Sequence, residues 1–254
     1  MRLDLSDQIL LVTGASRGIG RATAEALAEA GGTVAVHYGH SDDAAAEVVE
    51  ACGPDARSFQ ADLSTVDAVD GLVDQVVDTY GRLDALVLNA GVAMATPLDA
   101  DTDDWHAAWS DTMHVNLRAP ELLSRHALRH FQSRQPTGGR IISIASRAAF
   151  RGDTPDYMTY AASKAGLVAL TRSLARGFGE DDVKAFTVAP GFTRTDMAQD
   201  FIEEYGEAHA TRDLALNRLT EPDDVASLVV FLASGQADHA TGTTIDVNAG
   251  SYVH

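Results

Sequence analysis

Two residues four apart carry the most legible chemistry in this sequence, Tyr160 and Lys164 in the run Tyr160-Ala161-Ala162-Ser163-Lys164. Leu167, Leu170, Leu174 and Phe178 follow at helical spacing, so the phenol and the ammonium project from one helix face. A phenol with a pKa of about 10 is a poor proton donor or acceptor at neutral pH. A neighbouring ammonium favours the phenolate and brings the group toward the range of a working acid–base catalyst. On an ordinary surface such a pair would mean little. Here only two of the 19 basic residues are lysines, Lys164 and Lys184, and one of them stands in this place.

A second candidate lies near the start. The apolar run Ile9-Leu10-Leu11-Val12 leads into Thr13-Gly14-Ala15-Ser16-Arg17-Gly18-Ile19-Gly20 and then an amphipathic stretch. A glycine-rich turn between strand and helix lets backbone N–H groups face a pyrophosphate at the positive helix end. Gly14 permits the turn, Gly18 close approach, and Gly20 the packing of helix on strand. Other constellations are weaker. His126 and His130 stand four apart, but no third ligand joins them at a known spacing, so they read as helix-surface histidines and no metal is expected. The acidic stretch 99–104, ahead of Trp105 and Trp109, suits the N-terminus of a helix.

The elements that must position these groups follow from periodicity. Short apolar or β-branched runs at 9–12, 33–36, 58–60, 85–88, 140–144, 185–188 and 243–247 alternate with helical patterns such as 21–30 and 66–80. That alternation predicts a single α/β domain over residues 1–254, a doubly wound parallel sheet of about seven strands with helices on both faces. No linker, repeat or low-complexity tract divides the chain. The single cysteine, Cys52, excludes an intrachain disulfide and fits a reducing compartment. No apolar run reaches about 18 residues, and no basic start precedes a long apolar segment, so neither a membrane helix nor a secretory signal is expected and the setting reads as cytoplasmic. The formal charge of −18 argues against a nucleic-acid partner. It suggests a salt-adapted source, with a GC-rich genome as the alternative.

Taken in order, Thr13-Gly14, Gly18-Ile19-Gly20, Asp62-Leu63, Asn89-Ala90-Gly91, Asn116, Ser146, Tyr160 with Lys164, and Pro190-Gly191 with Thr195 resemble the signatures of the short-chain dehydrogenase/reductase family. The resemblance covers essentially the whole chain. The segment from Val188 to Met197 is most similar to the 3-oxoacyl-(acyl-carrier-protein) reductases. The resemblance implies that Tyr160 exchanges a proton with the substrate oxygen and that Lys164 lowers its pKa and holds the nicotinamide ribose. It further implies that Ser146 hydrogen-bonds that oxygen and that Asn116 holds a relay water. Ser143 is a rival to Ser146, but it lies inside the strand run. The implied cofactor contacts are Gly14, Ser16, Arg17, Gly18, Ile19, Gly20, Tyr38, Ser41, Asp62, Leu63, Asn89, Ala90, Gly91, Tyr160, Lys164, Pro190, Gly191, Thr193 and Thr195. Where the family has Asn-Asn-Ala-Gly, this chain has Leu88-Asn89-Ala90-Gly91, so the first asparagine is lost.

Cofactor choice rests on the end of the second strand, where an acidic residue would hold the ribose hydroxyls of NAD. Tyr38 occupies that position, and Arg17 and Ser41, with His37 or His40, could meet a 2′-phosphate. NADP(H) is therefore expected over NAD(H), with Asp42 and Asp43 as the opposing signal. The expected activity is hydride transfer between this cofactor and a small-molecule carbonyl or alcohol, with 3-oxoacyl thioesters as the leading substrates. The alternatives are a sugar or secondary-alcohol dehydrogenase and, more remotely, a non-catalytic dinucleotide-binding regulator. Residues 196–216 read as a mobile lid, with Phe201, Ile202 and Tyr205 as lid packing or substrate contacts. The resemblance also implies a homotetramer.

Overall fold

The computed structural model describes residues 3–196, 198 and 211–253. Among them, seven strands run parallel: β1 (Ile9–Val12), β2 (Thr33–Tyr38), β3 (Arg57–Gln60), β4 (Ala85–Leu88), β5 (Gly139–Ile144), β6 (Val183–Pro190) and β7 (Thr244–Val247). Their order is β3-β2-β1-β4-β5-β6-β7. Parallel neighbours require crossovers, and helices supply them: α1 (Gly18–Glu29), α2 (Asp42–Cys52), α3 (Val66–Tyr80), α4 (Thr102–Met113), α5 (Ala119–Ser133), α6 (Ala148–Arg151), α7 (Met158–Gly177) and α8 (Pro222–Ala233). This is the single α/β domain that the alternating pattern predicts.

The strands are buried on both faces, so successive side chains enter two different cores. Leu10 and Val12 pack with Leu27 of α1, Val48 of α2 and Val229 of α8. Leu11, between them, faces Leu72 and Val76 of α3 and Leu123 and Phe131 of α5. Each fully buried leucine or valine contributes about 1.5–3 kcal/mol. β2 and β6 outrun the apolar runs read from sequence. His37 and Tyr38 extend β2 by pairing with Phe59 and Gln60 of β3, a register that local composition does not encode.

The catalytic candidates gather at the sheet's C-terminal edge, where the order reverses between β1 and β4, each paired to the other. Such a switch point leaves a crevice between loops that diverge to opposite faces. α4 and α5 are joined without a break by one π-helical turn, His114–Arg118, and that turn carries Asn116. Of the segment expected as a lid, residues 197 and 199–210, with Phe201, Ile202 and Tyr205, lie outside the described residues. No described helix is long and apolar enough to cross a membrane.

Candidate active site

The glycine turn is built by mutual exclusion of side chains. Gly14 has φ +62°, and a Cβ there would stand 2.9 Å from Ala90 Cα. Gly20 opens the path of α1 past the turn, since its Cβ would fall 2.1 Å from the Gly14 carbonyl oxygen. Gly18, at φ +54°, faces Thr195, whose Cγ2 would lie 3.2 Å from an added Cβ. Thr13 and Asn89 fasten this turn to the loop after β4. Thr13 Oγ1 accepts from Asn89 N–H at 2.9 Å and Ala90 N–H at 3.1 Å. Asn89 Nδ2 donates to the carbonyls of Thr13 and Gly14 at 2.9 and 3.1 Å. Asn89 therefore spends its amide on holding the loop. Thr13 was only a motif letter in the sequence, and its role becomes visible once β1 and β4 are neighbours.

Lys164 is 4% exposed, and its Nζ donates to the Ile144 carbonyl at the end of β5 at 2.9 Å. The same Nζ lies 5.9 Å from the centre of the Tyr160 ring. A Cβ on Gly91 would stand 3.1 Å from Lys164 Nζ and 3.2 Å from Asn116 Oδ1, so these three residues meet. Asn116 Oδ1 accepts from Val92 N–H at 2.8 Å, and its Nδ2 donates to Val92 O at 2.8 Å and to Ser163 Oγ at 3.0 Å. Ser163 Oγ in turn donates to the Tyr160 carbonyl at 2.7 Å. The π-turn is thus clamped to both the β4 loop and the start of α7. Ser146 Oγ accepts from Ala148 N–H at 3.1 Å, and its hydroxyl hydrogen-bonds the Tyr160 phenol. Ser143 is fully buried and accepts from Thr171 Oγ1 at 2.8 Å, a packing role that removes it as a rival.

Electrostatics departs from the sequence expectation at one point. Burial raises the Tyr160 phenol above its ordinary value, the bond to Ser146 pulls it back in part, and the Asp153 charge adds to the rise. The Lys164 ammonium, held on the Ile144 carbonyl, lies beside the ring, and the rise by burial is the larger effect on the phenol. Burial pushes Lys164 itself down to about 8. A protonated phenol beside a serine hydroxyl suits proton donation to an oxygen more than proton removal.

At the far end of the crevice, His37 is corrected from a phosphate ligand to a structural group. It is 2% exposed, its Nδ1 accepts from Gly14 N–H at 3.0 Å, and its Nε2 donates to Ala61 O at 3.0 Å. Burial lowers it to about 4, so it is neutral at physiological pH and offers no charge. Arg17, His40 and Ser41 are exposed. The Arg17 guanidinium lies 3.9 Å from Asp196. Asp42 turns toward the second strand and accepts from the Tyr38 hydroxyl. Asp62 caps its own turn, accepting from Ser64 N–H at 2.9 Å, with Leu63 buried beside it. Gly191, where a Cβ would sit 2.7 Å from Asn248 Cα, and Pro190 end β6, and Thr193 Oγ1 donates to Gly191 O at 3.2 Å. Ser16 and Ile19 are half-buried in the glycine turn. His126 and His130 have other work: His126 Nε2 pairs with Asp70 at 3.0 Å, and His130 Nε2 accepts from Leu83 N–H at 3.0 Å.

The bare backbone of the glycine turn and the space above Gly91, which a side chain would fill against Lys164 and Asn116, fit an extended dinucleotide. The family described as enoyl-(acyl carrier protein) reductase matches residues 14–252. The chain is 36% identical to the 3-oxoacyl-[acyl-carrier-protein] reductase of Vibrio harveyi, over 99% of this chain and 100% of that one. It is also 36% identical to a hydroxynaphthalene reductase of Aspergillus fumigatus, over 94% of this chain and 90% of the other. A short-chain dehydrogenase from Burkholderia cenocepacia, solved in complex with NADP, superposes with a TM-score of 0.86 at 37% identity, over 99% of both chains. The chain belongs to the short-chain dehydrogenase/reductase family and is an NAD(P)-dependent oxidoreductase acting on carbonyl and CH–OH groups.

Proposed function

We propose that this protein is an NADP(H)-dependent carbonyl reductase in which Tyr160 is the general acid, and that 3-oxoacyl compounds, thioesters first, are its leading substrate class. The observation that carries the reading is the grouping of the Tyr160 phenol with Ser146 and with Lys164, whose ammonium also borders the space above Gly91. The bound nicotinamide supplies the hydride in reduction and accepts it in oxidation. Ser146 and Tyr160 both hydrogen-bond the substrate oxygen and stabilise the negative charge that grows on it. Tyr160 then gives that oxygen its proton; its raised pKa keeps the phenol protonated at rest, and the far more basic alkoxide takes the proton from it. Lys164 would hold the ribose hydroxyls and carries its positive charge beside the phenol below a pH of about 8. Asn116 positions the π-turn and, through Ser163, the first turn of α7.

The preference for NADP(H) is supported by the exposed Arg17, His40 and Ser41, by the lack of an acidic side chain at Tyr38, and by the NADP found with the Burkholderia relative. Arg17 would face the 2′-phosphate, and the backbone from Gly14 to Gly20 would face the pyrophosphate. The test is a screen at the nicotinamide absorbance band with each cofactor against 3-oxoacyl thioesters, sugars and simple ketones. Preference for NADPH with a 3-oxoacyl thioester is expected. Turnover confined to sugars or simple secondary alcohols would reassign the substrate, and better kcat/KM with NADH would reassign the cofactor.

A further inference from the structure

Both peptide planes that meet at Gly14 are gripped from opposite sides by the same two residues. His37 takes their N–H groups: Gly14 N–H donates to its Nδ1 at 3.0 Å, and Ala15 N–H to its carbonyl at 2.8 Å. Asn89 takes their carbonyls, its Nδ2 donating to Thr13 O at 2.9 Å and to Gly14 O at 3.1 Å. Every polar group of the two planes is therefore spent on holding their direction. The imidazole is 2% exposed and is itself anchored, since Nε2 donates to Ala61 O at 3.0 Å and Ala61 N–H donates to the Tyr38 carbonyl at 3.1 Å. Gly14 N–H can only donate and Ala61 O can only accept. One form of the ring serves both, with Nδ1 bare and the proton on Nε2. The Ala61 carbonyl thus selects the tautomer, and the tautomer supplies the acceptor for Gly14.

We propose that His37 is a positioning residue for the cofactor: with Asn89 it clamps the planes around Gly14 and so aims the rest of the glycine turn, from Ser16 onward, at the dinucleotide phosphates. The inference rests on the reading that the pyrophosphate lies across this turn. A rigid turn meets the phosphates without first being ordered, and that saving appears as affinity. The pyrophosphate is common to both nicotinamide dinucleotides, so the clamp serves NADPH and NADH alike. This sets it apart from any contact with the 2′-phosphate.

The test compares wild type with His37→Leu and His37→Asn, by fluorescence titration with NADPH and with NADH. Leucine and asparagine are close in size, but only asparagine offers an acceptor near the place of Nδ1. Leucine leaves the part-buried Gly14 N–H unpaired and should weaken both dinucleotides alike, by about 10- to 100-fold in Kd. Asparagine should recover most of that loss. In turnover the KM for cofactor should rise in the leucine variant, with kcat at saturating cofactor changed by less than about twofold. A loss confined to NADPH would make His37 a 2′-phosphate ligand and overturn the proposal. Unchanged affinity in the leucine variant, an asparagine variant no better than leucine, or a loss borne by kcat would overturn it too. Two further readouts need no cofactor. Hydrogen exchange should quicken in the peptide spanning Gly14 to Gly20 of the leucine variant and stay unchanged in α8, whereas uniform quickening would reduce His37 to a stability role. Nitrogen NMR of isotopically labelled wild type should show His37 protonated on Nε2 and bare on Nδ1. A proton on Nδ1 would overturn the clamp even if the leucine variant failed to fold. Should wild type bind neither dinucleotide, the functional reading falls, while exchange and tautomer still decide the clamp.

Discussion

Replacing Lys164 with methionine should make the cofactor-free protein more stable at neutral pH while removing its activity. The ammonium is 4% exposed, and burial takes its pKa from 10.5 to about 8. At about 1.36 kcal/mol per pH unit, that interval corresponds to a penalty of about 3 kcal/mol for keeping the charge in the folded state. Methionine fills a similar volume without the charge but forfeits the bond to Ile144 O, worth about 1 kcal/mol. The net gain is about 2 kcal/mol, or about 4–8 °C in thermal midpoint for a chain of this size. The sign has a pH signature. The folded pKa lies below the unfolded one, so the penalty is complete below pH 8. It disappears as pH rises from about 8 toward 10.5, where the unfolded chain gives up the same proton. The gap between variant and wild type should therefore be widest at pH 6–7.5 and close progressively above pH 8, as followed by calorimetry at fixed protein concentration. A variant that melts below wild type at pH 7, or a gap that stays constant up to pH 9.5, would refute the argument.

Tyr160→Phe should lower turnover by about 10²–10⁴-fold with cofactor affinity nearly unchanged, and residual turnover above about a tenth would exclude the phenol as general acid. Asp42→Asn removes a carboxylate from beside Tyr38 and should tighten NADPH binding severalfold without a matching gain for NADH, as read by cofactor-fluorescence titration. Equal effects on both would remove Asp42 from the 2′-phosphate region. Light scattering at micromolar protein should give four times 26.9 kDa, whereas a mass of one chain would reject the tetramer that the family resemblance implies. At a formal charge of −18, the thermal midpoint should climb from 0.01 to 1 M salt as the screening length shortens from about 30 Å to about 3 Å. A flat or falling midpoint would favour genome composition as the source of the acidity.

The strand-and-helix alternation was legible because a sheet buried on both faces writes its strands as continuous apolar runs. Ile9–Val12, Ala85–Leu88 and Val66–Tyr80 coincide with the elements observed. The start of α1 was not legible: the pattern begins at Arg21, but the helix begins at Gly18, since its first residues are glycines and an isoleucine with no periodicity to read. Residues of the site were legible where the pair is local, as with Tyr160 and Lys164. They were not legible where the partner is distant in sequence. His37 looked like a free imidazole beside a phosphate, yet its neutral, buried state depends on Gly14 and on Ala61, the latter brought in by β3. The raised phenol of Tyr160 likewise depends on how deeply the whole fold covers it, and spacing alone carries no measure of depth.

The π-turn at His114–Arg118 fixes the length of its segment as firmly as any side chain fixes its identity. Residues 102–133 form one unbroken rod in which this turn holds an additional residue relative to its α-helical flanks. Deleting a single residue there would let the rod close into a regular helix with its flanks nearly in their present phase, but would remove the wide turn itself. The stacked Trp105 and Trp109, whose ring centres are 5.8 Å apart, would keep their face, whereas Asn116 would lose its place between Val92 and Ser163. Insertions and deletions should therefore be absent through this stretch among functional relatives. By contrast, the loop around Leu98, which is 81% exposed, can absorb them without altering the phase of any helix.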